Sequence, residues 1–380
     1  MDFSLTEEQE SIVATASAFA RDELAPGYRE REIRGSLERS LVRRMGELGL
    51  IGAELPEELG GLGADYVTSG LIMEAVARGD FNVAYVQLLG SLNAHILAHN
   101  MDRAVAAEWI RGICAGERLA ALALTEPGHG SDAAAIELVA RAEGSHYVLT
   151  GEKTSISFAD QADVSVVFAR TGASAERAHG ISAFLVPMDS PGITTTRFED
   201  AGEHAIGRGS IFFDEVKVPA SHRIADEGRG FTQVMQGFDF SRALIGLQCL
   251  AVAEASLVET WRYIEERQAF GRPLGDFQGL TFPLAELETY VEAARQLCYK
   301  TLWLKSAGKP HTKQAAMCKW WAPQVAFDTV HRCLLTHGHA GYSRDLPFEQ
   351  RLRDVLGLQI GDGTAEIMKL IIVRQSRHSK

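Results

Sequence analysis

Apolar positions in the first 118 residues recur at helical spacing. Ile12, Val13, Ala16, Phe19 and Ala20 line one face of a segment that starts at Thr6 and Gln9, a pair able to form a capping box. Leu37, Leu41, Val42, Met45 and Leu48 repeat the pattern. LPEELGGLGAD then breaks it with Pro and Gly, ahead of another helix through VTSGLIMEAVARGD. Near residue 119 the period shortens. HYVLTG, VSVVFAR, ISAFLVP, GITTTRFE and GSIFFDEVKVP are β-type runs separated by Gly, Asp and Pro, which predicts a compact antiparallel β domain. From about 231 the helical period returns. Leu244, Leu247, Leu250, Leu257, Trp261 and Ile264 lie along one long stretch, and further helices are predicted over 277–307, 311–336 and 364–377. Long helices with short connections predict an antiparallel bundle. The chain therefore divides into a helical zone (1–118), a β zone (119–230) and a C-terminal four-helix bundle (231–380), an α+β class that is mostly α.

Composition narrows the function classes. With 380 residues, 46% hydrophobic and 23% charged, the chain has room for two or three domains sharing large cores. A formal charge of −12 with no basic block argues against nucleic acid as the main partner. Cys114, Cys249, Cys298, Cys318 and Cys333 are an odd, scattered set with no CxxC pair, which reads as free thiols in a reducing compartment. The first residues, MDFSLTEEQE, carry neither a positive n-region nor an apolar h-region, and no uninterrupted run of 18 apolar residues occurs. The expectation is a cytoplasmic protein with no membrane segment.

Two segments carry candidate chemistry. In IGDGTAEIMKLIIVRQ, Asp362 sits between two glycines just before an apolar helix. Asp-Gly is a common turn dipeptide and Thr364 a good N-cap, but the same backbone could present a carboxylate to a ligand. In LALTEPGHGSDAAA a β-type run opens into Gly128, Gly130 and Ser131. That loop is either a plain surface connection or a cradle of N–H and hydroxyl donors. HRCLLTHGH offers His331, Cys333, His337 and His339, but His331 and Cys333 are two apart and diverge on a helix, so no metal site is expected.

TEPGHGSD (125–132) resembles the first signature of the acyl-CoA dehydrogenase family, flavoenzymes that remove two hydrogens across the α and β carbons of an acyl-CoA thioester. GEKTSIS (151–157) resembles the family's second flavin strand, RQAFGRPLGDFQ (267–278) its Arg-x-x-Phe-Gly…Gln segment, and LRDVLGLQIGDGTAEI (352–367) the stretch ending in the base-bearing Glu-Gly-Thr. The order helices–β–bundle matches along the whole chain. The resemblance implies FAD as cofactor, an acyl-CoA substrate, electron-transferring flavoprotein as acceptor and a homo-oligomer, a tetramer in the first instance. It implies that Leu124, Thr125, Gly130 and Ser131 line the isoalloxazine and ribityl chain, with Ser131 also near substrate. Ser155, Ile156 and Ser157 follow on the flavin strand, Ser157 near N5. Arg267, Phe270 and Gln278 would meet the ADP half of a partner's FAD, His339 would edge FAD or the subunit contact, and Thr364 and Glu366 would contact FAD at a helix start. Asp239, Arg242 and Arg374 would contact CoA.

Asp362 occupies the place of the family's catalytic glutamate, the base for the α-proton. The thioester oxygen would then lie on its backbone N–H, which Gly363 keeps open. Ser241 before Arg242 rules out the alternative base that some members carry there. Aspartate is shorter than glutamate by roughly 1.5 Å, one C–C bond, so a branched or cyclic acyl group would suit the site. Ser155 replaces the usual aromatic residue, Leu335 the usual Gln and His339 the usual Gly. FQGLTFPLAE, LTHGHAGYS and IGDGTAE look most like the cyclohexanecarboxyl-CoA dehydrogenase branch, which makes cyclohexane-1-carbonyl-CoA the first substrate expected. Branched- or straight-chain acyl-CoA oxidation, enoyl-CoA reduction, a nitroalkane oxidase-like reaction and a non-catalytic assembly role are the rivals.

Overall fold

The computed structural model describes residues 4–378. Six helices come first: α1 (Glu7–Phe19), α2 (Tyr28–Arg34), α3 (Arg39–Glu47), α4 (Tyr66–Gly79), α5 (Ala84–Asn100) and α6 (Arg103–Cys114). Eight strands follow: β1 (Ala120–Ala123), β2 (Val139–Glu143), β3 (His146–Ile156), β4 (Val164–Arg170), β5 (Ile181–Pro187), β6 (Ile193–Arg197), β7 (Gly209–Pro219) and β8 (Arg223–Ile224). Then come α7 (Gly230–Glu266), the two-residue strands β9 (Gln268–Ala269) and β10 (Arg272–Pro273), α8 (Gln278–Ser306), α9 (Thr312–Thr336), α10 (His339–Tyr342), α11 (Phe348–Ile360) and α12 (Ala365–His378). The helix ends predicted by periodicity fall within one residue for α8, α9 and α12.

In space the chain forms two compact units that do not follow the sequence zones. One combines the described residues through Glu30 with Tyr66–Ala84 and the chain from Asp239 onward. Within it, Thr6 caps α1: its hydroxyl accepts from Gln9 N at 3.2 Å while the Gln9 side chain accepts from Thr6 N at 3.1 Å, the capping box expected there. α4 lies so close to the bundle that a Cβ at Gly70 would come 2.5 Å from Leu302 of α8 and 2.8 Å from Leu247 of α7. Leu244, Leu247 and Leu250 are fully buried and Leu257 and Ile264 nearly so, which makes α7 the core helix. By length and composition α7 could cross a membrane, yet most of its apolar window is buried inside the protein. Tyr28 and Asn82 both donate to Asp354 of α11, at 2.6 and 3.0 Å, so the buried carboxylate has partners from separate segments.

The other unit holds 31–65 and 85–238, with the sheet at its centre. Strand order is β6-β7-β3-β2-β4-β5-β8, with β1 paired to β4. Most neighbours are antiparallel, as the short runs imply, but β1–β4 and the single β2–β4 bridge are parallel. Parallel pairing requires a long crossover, and here the TEPGHGSD loop lies within the chain leading from β1 to β4. Ala121, Leu149, Val167, Phe184, Ile211 and Val216 form its core on alternate positions of the strands. In the β3–β7 ladder the register slips between Lys153 and Ile156, so one extra residue is accommodated on β3. This bulge turns Lys153 and Ile156 inward and leaves Ser155 exposed at φ +57°.

Candidate active site

In the sheet unit, the loop after β1 is held from beneath by a buried ion pair. Lys153 is fully buried, and its Nζ donates to Glu126 Oε1 at 2.7 Å and to the Leu124 carbonyl at 2.9 Å. The Glu126 carboxylate also accepts from the N–H groups of Glu137 (2.6 Å) and Leu138 (2.9 Å). Thr154 N donates to the Thr125 carbonyl at 2.9 Å, and Glu126 and His129 exchange backbone bonds across the turn. The Arg170 guanidinium adds bonds to the carbonyls of Ile136 and Ala134 at 2.8 and 2.9 Å. Burial pushes the Lys153 ammonium down to about 8, with Glu126 pulling the other way.

That frame leaves the far side of the loop open. Leu124 is buried, Thr125 and Ser157 half-buried, Gly130 and Ser131 exposed. A Cβ at Gly128 or Gly130 would meet nothing within 4 Å. Among the described residues, the hydroxyls of Thr125, Ser131 and Ser157 take no part in hydrogen bonds inside the protein. Open backbone beside unengaged donors fits a ligand with ring-edge acceptors and a hydroxylated, phosphate-bearing chain, as FAD has. Ile156 is buried beneath this surface at 2% exposure, so it supports the strand from the core side.

In the bundle unit, α11 ends at Ile360 with Gly361 as its C-cap, and α12 begins after Thr364, whose hydroxyl accepts from Ile367 N at 3.4 Å as an N-cap. Asp362 lies in the intervening turn at φ +54° and is half-buried. Gly363 has φ +101°, and a Cβ there would come 2.5 Å from Met368 Cε. Arg242, 4% exposed on α7, donates to Asp239 at 3.1 Å, and the second Asp239 oxygen accepts from the Thr312 hydroxyl. Burial lowers the Arg242 guanidinium, while Asp239 and then Asp362 favour its charged form. Lys319 of α9 donates to the carbonyls of Leu358 (2.7 Å) and Gly363 (3.2 Å), on either side of the Asp362 turn.

The structure thus groups Asp362, Gly363 and Thr364 with Arg242 and Asp239. Glu366 and Arg374 are exposed on α12. Arg267, Phe270, Gln278 and His339 are exposed too, Phe270 at 96% within the β9–β10 turn. His337 belongs to the core: it stacks between Tyr263 and Phe348 at ring distances of 4.1 and 4.3 Å and bonds to the Cys333 carbonyl. Periodicity alone overlooked Glu126, Lys153, Arg170 and Lys319. The available signal was a charge at an inward position: Lys153 in a β run, Lys319 in a face formed by Ala315, Ala322 and Ala326.

A helical, β, helical chain with an open donor loop on the sheet and a glycine-flanked carboxylate on the bundle has the parts of a flavin-dependent oxidoreductase. Family models for the acyl-CoA dehydrogenase N-terminal, middle and C-terminal domains match residues 6–117, 121–216 and 228–376. The chain is 36% identical over 370 residues to the mitochondrial short-chain specific acyl-CoA dehydrogenase of Rattus norvegicus, covering 97% of this chain and 90% of the relative. Butyryl-CoA dehydrogenase from Megasphaera elsdenii superposes with a TM-score of 0.96 at 33% identity, over 99% of this chain and 100% of that one. A chain from a structure described as the electron transferring flavoprotein of Acidaminococcus fermentans gives 0.96 at 34%, covering 99% of both. The chain belongs to the acyl-CoA dehydrogenase family. It is an oxidoreductase of the FAD-dependent kind.

Proposed function

We propose that this enzyme converts a saturated acyl-CoA to its 2,3-enoyl-CoA with Asp362 as the base. The carrying observation is a half-buried carboxylate on a left-handed turn, with buried Arg242 and Lys319 supplying opposite charge around it. Asp362 takes the α-proton, and its backbone N–H and that of Gly363 lie on the same turn to meet the thioester oxygen as charge develops there. Arg242 and Asp239 hold the CoA chain. Thr125, Ser131 and Ser157 bind and orient FAD. When bound, FAD supplies the acceptor for the hydride that leaves the β carbon.

For the acyl group, a short straight chain is the reading that the relatives' names support, butyryl-CoA being the first substrate to try. Nothing in the comparisons points to the cyclohexanecarboxyl-CoA branch. The shorter reach of Asp362 is the observation that keeps an alicyclic thioester as the second reading. Electron transfer to an electron-transferring flavoprotein, a homotetramer and a cytoplasmic location complete the proposal. The test is anaerobic addition of butyryl-CoA, and separately cyclohexane-1-carbonyl-CoA, to the yellow holoenzyme. Bleaching by butyryl-CoA alone supports the short-chain reading, and bleaching by the cyclic thioester alone overturns it in favour of the second. Bleaching by neither, with turnover of an enoyl-CoA or oxygen uptake on a nitroalkane, overturns the proposed reaction.

A further inference from the structure

Lys319 is a cation where a core residue belongs. It is 1% exposed on the buried face of α9, among alanines. An uncompensated ammonium at that depth would cost several kcal/mol, so its neighbours must stabilise it. Two do so by hydrogen bonding. Leu358 contributes one of the last carbonyls of α11, which has no intrahelical donor and attracts positive charge at the helix C-terminus. Gly363 contributes the carbonyl just past Asp362. The charged and titratable groups around the ammonium are Asp362 from the α11–α12 turn and Cys249 and Arg242 from α7. Burial lowers its proton affinity to about 8, and Asp362 is the first group opposing that. Pro323, four residues on, has no N–H to return to the Lys319 carbonyl, so α9 lacks one ladder bond at this residue.

We propose that Lys319 is a positioning residue for the base: its ammonium ties together the two carbonyls that bracket the Asp362 turn, and its charge keeps that carboxylate ionised. The inference rests on Asp362 being the base. A turn with Asp362 at φ +54° and Gly363 at φ +101° is one that an Asp-Gly pair readily adopts, but a turn dipeptide alone does not hold a single geometry beside a helix end. The bridge to α9 supplies the selection. It also places a cation whose charge acts on the carboxylate.

The test compares Lys319→Met and Asp362→Asn in the FAD-loaded enzyme, using the rate of anaerobic bleaching by the preferred thioester as a function of pH. Loss of a neighbouring cation raises the proton affinity of a carboxylate, so the acid limb of Lys319→Met should move up by about one pH unit. Its rate should fall by up to about tenfold on the acid side of the limb and recover at higher pH. Amide exchange across 359–364 should speed up as the turn loosens. A purely structural lysine would lower the rate by one factor at every pH, and an unmoved acid limb overturns the proposal. Asp362→Asn should bind the thioester and fail to bleach. If it bleaches normally, the base assignment itself falls, whatever Lys319→Met does. Lys319→Gln, a neutral donor, should shift the limb in the same way. If neither lysine variant holds FAD, amide exchange decides: in either variant 359–364 should exchange faster than in wild type while the sheet unit does not, and unchanged exchange across 359–364 overturns the assignment.

Discussion

Replacing Lys153 by methionine would strip the flavin-side loop of its central cation while filling most of the same volume. Two bonds disappear, the 2.7 Å contact to Glu126 and the 2.9 Å contact to the Leu124 carbonyl. Removing one member of a buried ion pair costs about 3–5 kcal/mol, because the other charge is left behind. Glu126 retains two backbone donors at 2.6 and 2.9 Å, which puts the expected cost near the lower end, about 3 kcal/mol. Part of that falls on the loop that carries Leu124, Thr125 and Ser131. If half of it is paid as loop disorder, FAD affinity drops about tenfold, the equivalent of 1.4 kcal/mol. Urea titration of the apoprotein and quenching of flavin fluorescence on reconstitution read the two quantities. Adding Glu126→Gln to Lys153→Met should cost less than the two single changes summed, since the stranded charge is gone. A loss below about 1 kcal/mol together with unchanged FAD affinity would refute the claim that this pair braces the loop.

Three more outcomes follow from the same geometry. Asp362→Asn should leave thioester binding intact and slow flavin bleaching by about 10²–10⁴, the usual worth of a general base; stopped-flow reduction with near-wild-type rates would exclude it from that role. Gly363→Ala forces an L side chain to φ +101° against Met368, so it should lower stability by about 1–3 kcal/mol and turnover with it, checked by thermal unfolding of the apoprotein. Lys153 and Lys319 are each held at about 8, against 10.5 in the unfolded chain. Between those values the unfolded chain binds more protons, so this contribution to stability is present above 10.5 and lost as pH falls through 8. Each lysine adds a slope of up to about 1.4 kcal/mol per pH unit inside that window, and Lys153→Met should flatten the measured rise by one such increment.

Local periodicity made much of this architecture legible. Runs such as VSVVFAR and ISAFLVP coincide with β4 and β5, whose residues are buried almost throughout, and the Thr6–Gln9 box marks the start of α1. VARAE gives no strand signal, because β2 lies on a mostly exposed face and carries charges that mimic a loop. α11 has no clear apolar stripe, since its buried side includes Gln350, Arg351 and Asp354, polar residues whose partners lie on other segments. The parallel β1–β4 pair was invisible because pairing sense depends on the crossover and not on the run itself. At the site, glycines and hydroxyl residues drew attention through their spacing. The buried lysines did not, because a charged residue is read as surface until a structure shows what neutralises it.

The discontinuous bundle unit also has a temporal meaning. Residues through Glu30 and Tyr66–Ala84 emerge early in synthesis and pack on each other, yet the bundle helices that complete their burial lie largely beyond Asp239. α4 carries Ile72, Met73 and Val76 on a face that is wholly buried once α7 and α8 are in place. Until more than 200 further residues have been made, at roughly 5–20 per second, that face lacks the cover that α7 and α8 supply. For a span of many seconds the nascent chain presents a sticky amphipathic helix, while the sheet unit, drawn from 31–65 and 85–238, already has all its parts. A chain stopped before α8 would therefore be predicted to form its sheet and still be held by chaperones or precipitate, through α4 and not through any fault in the flavin-side fold.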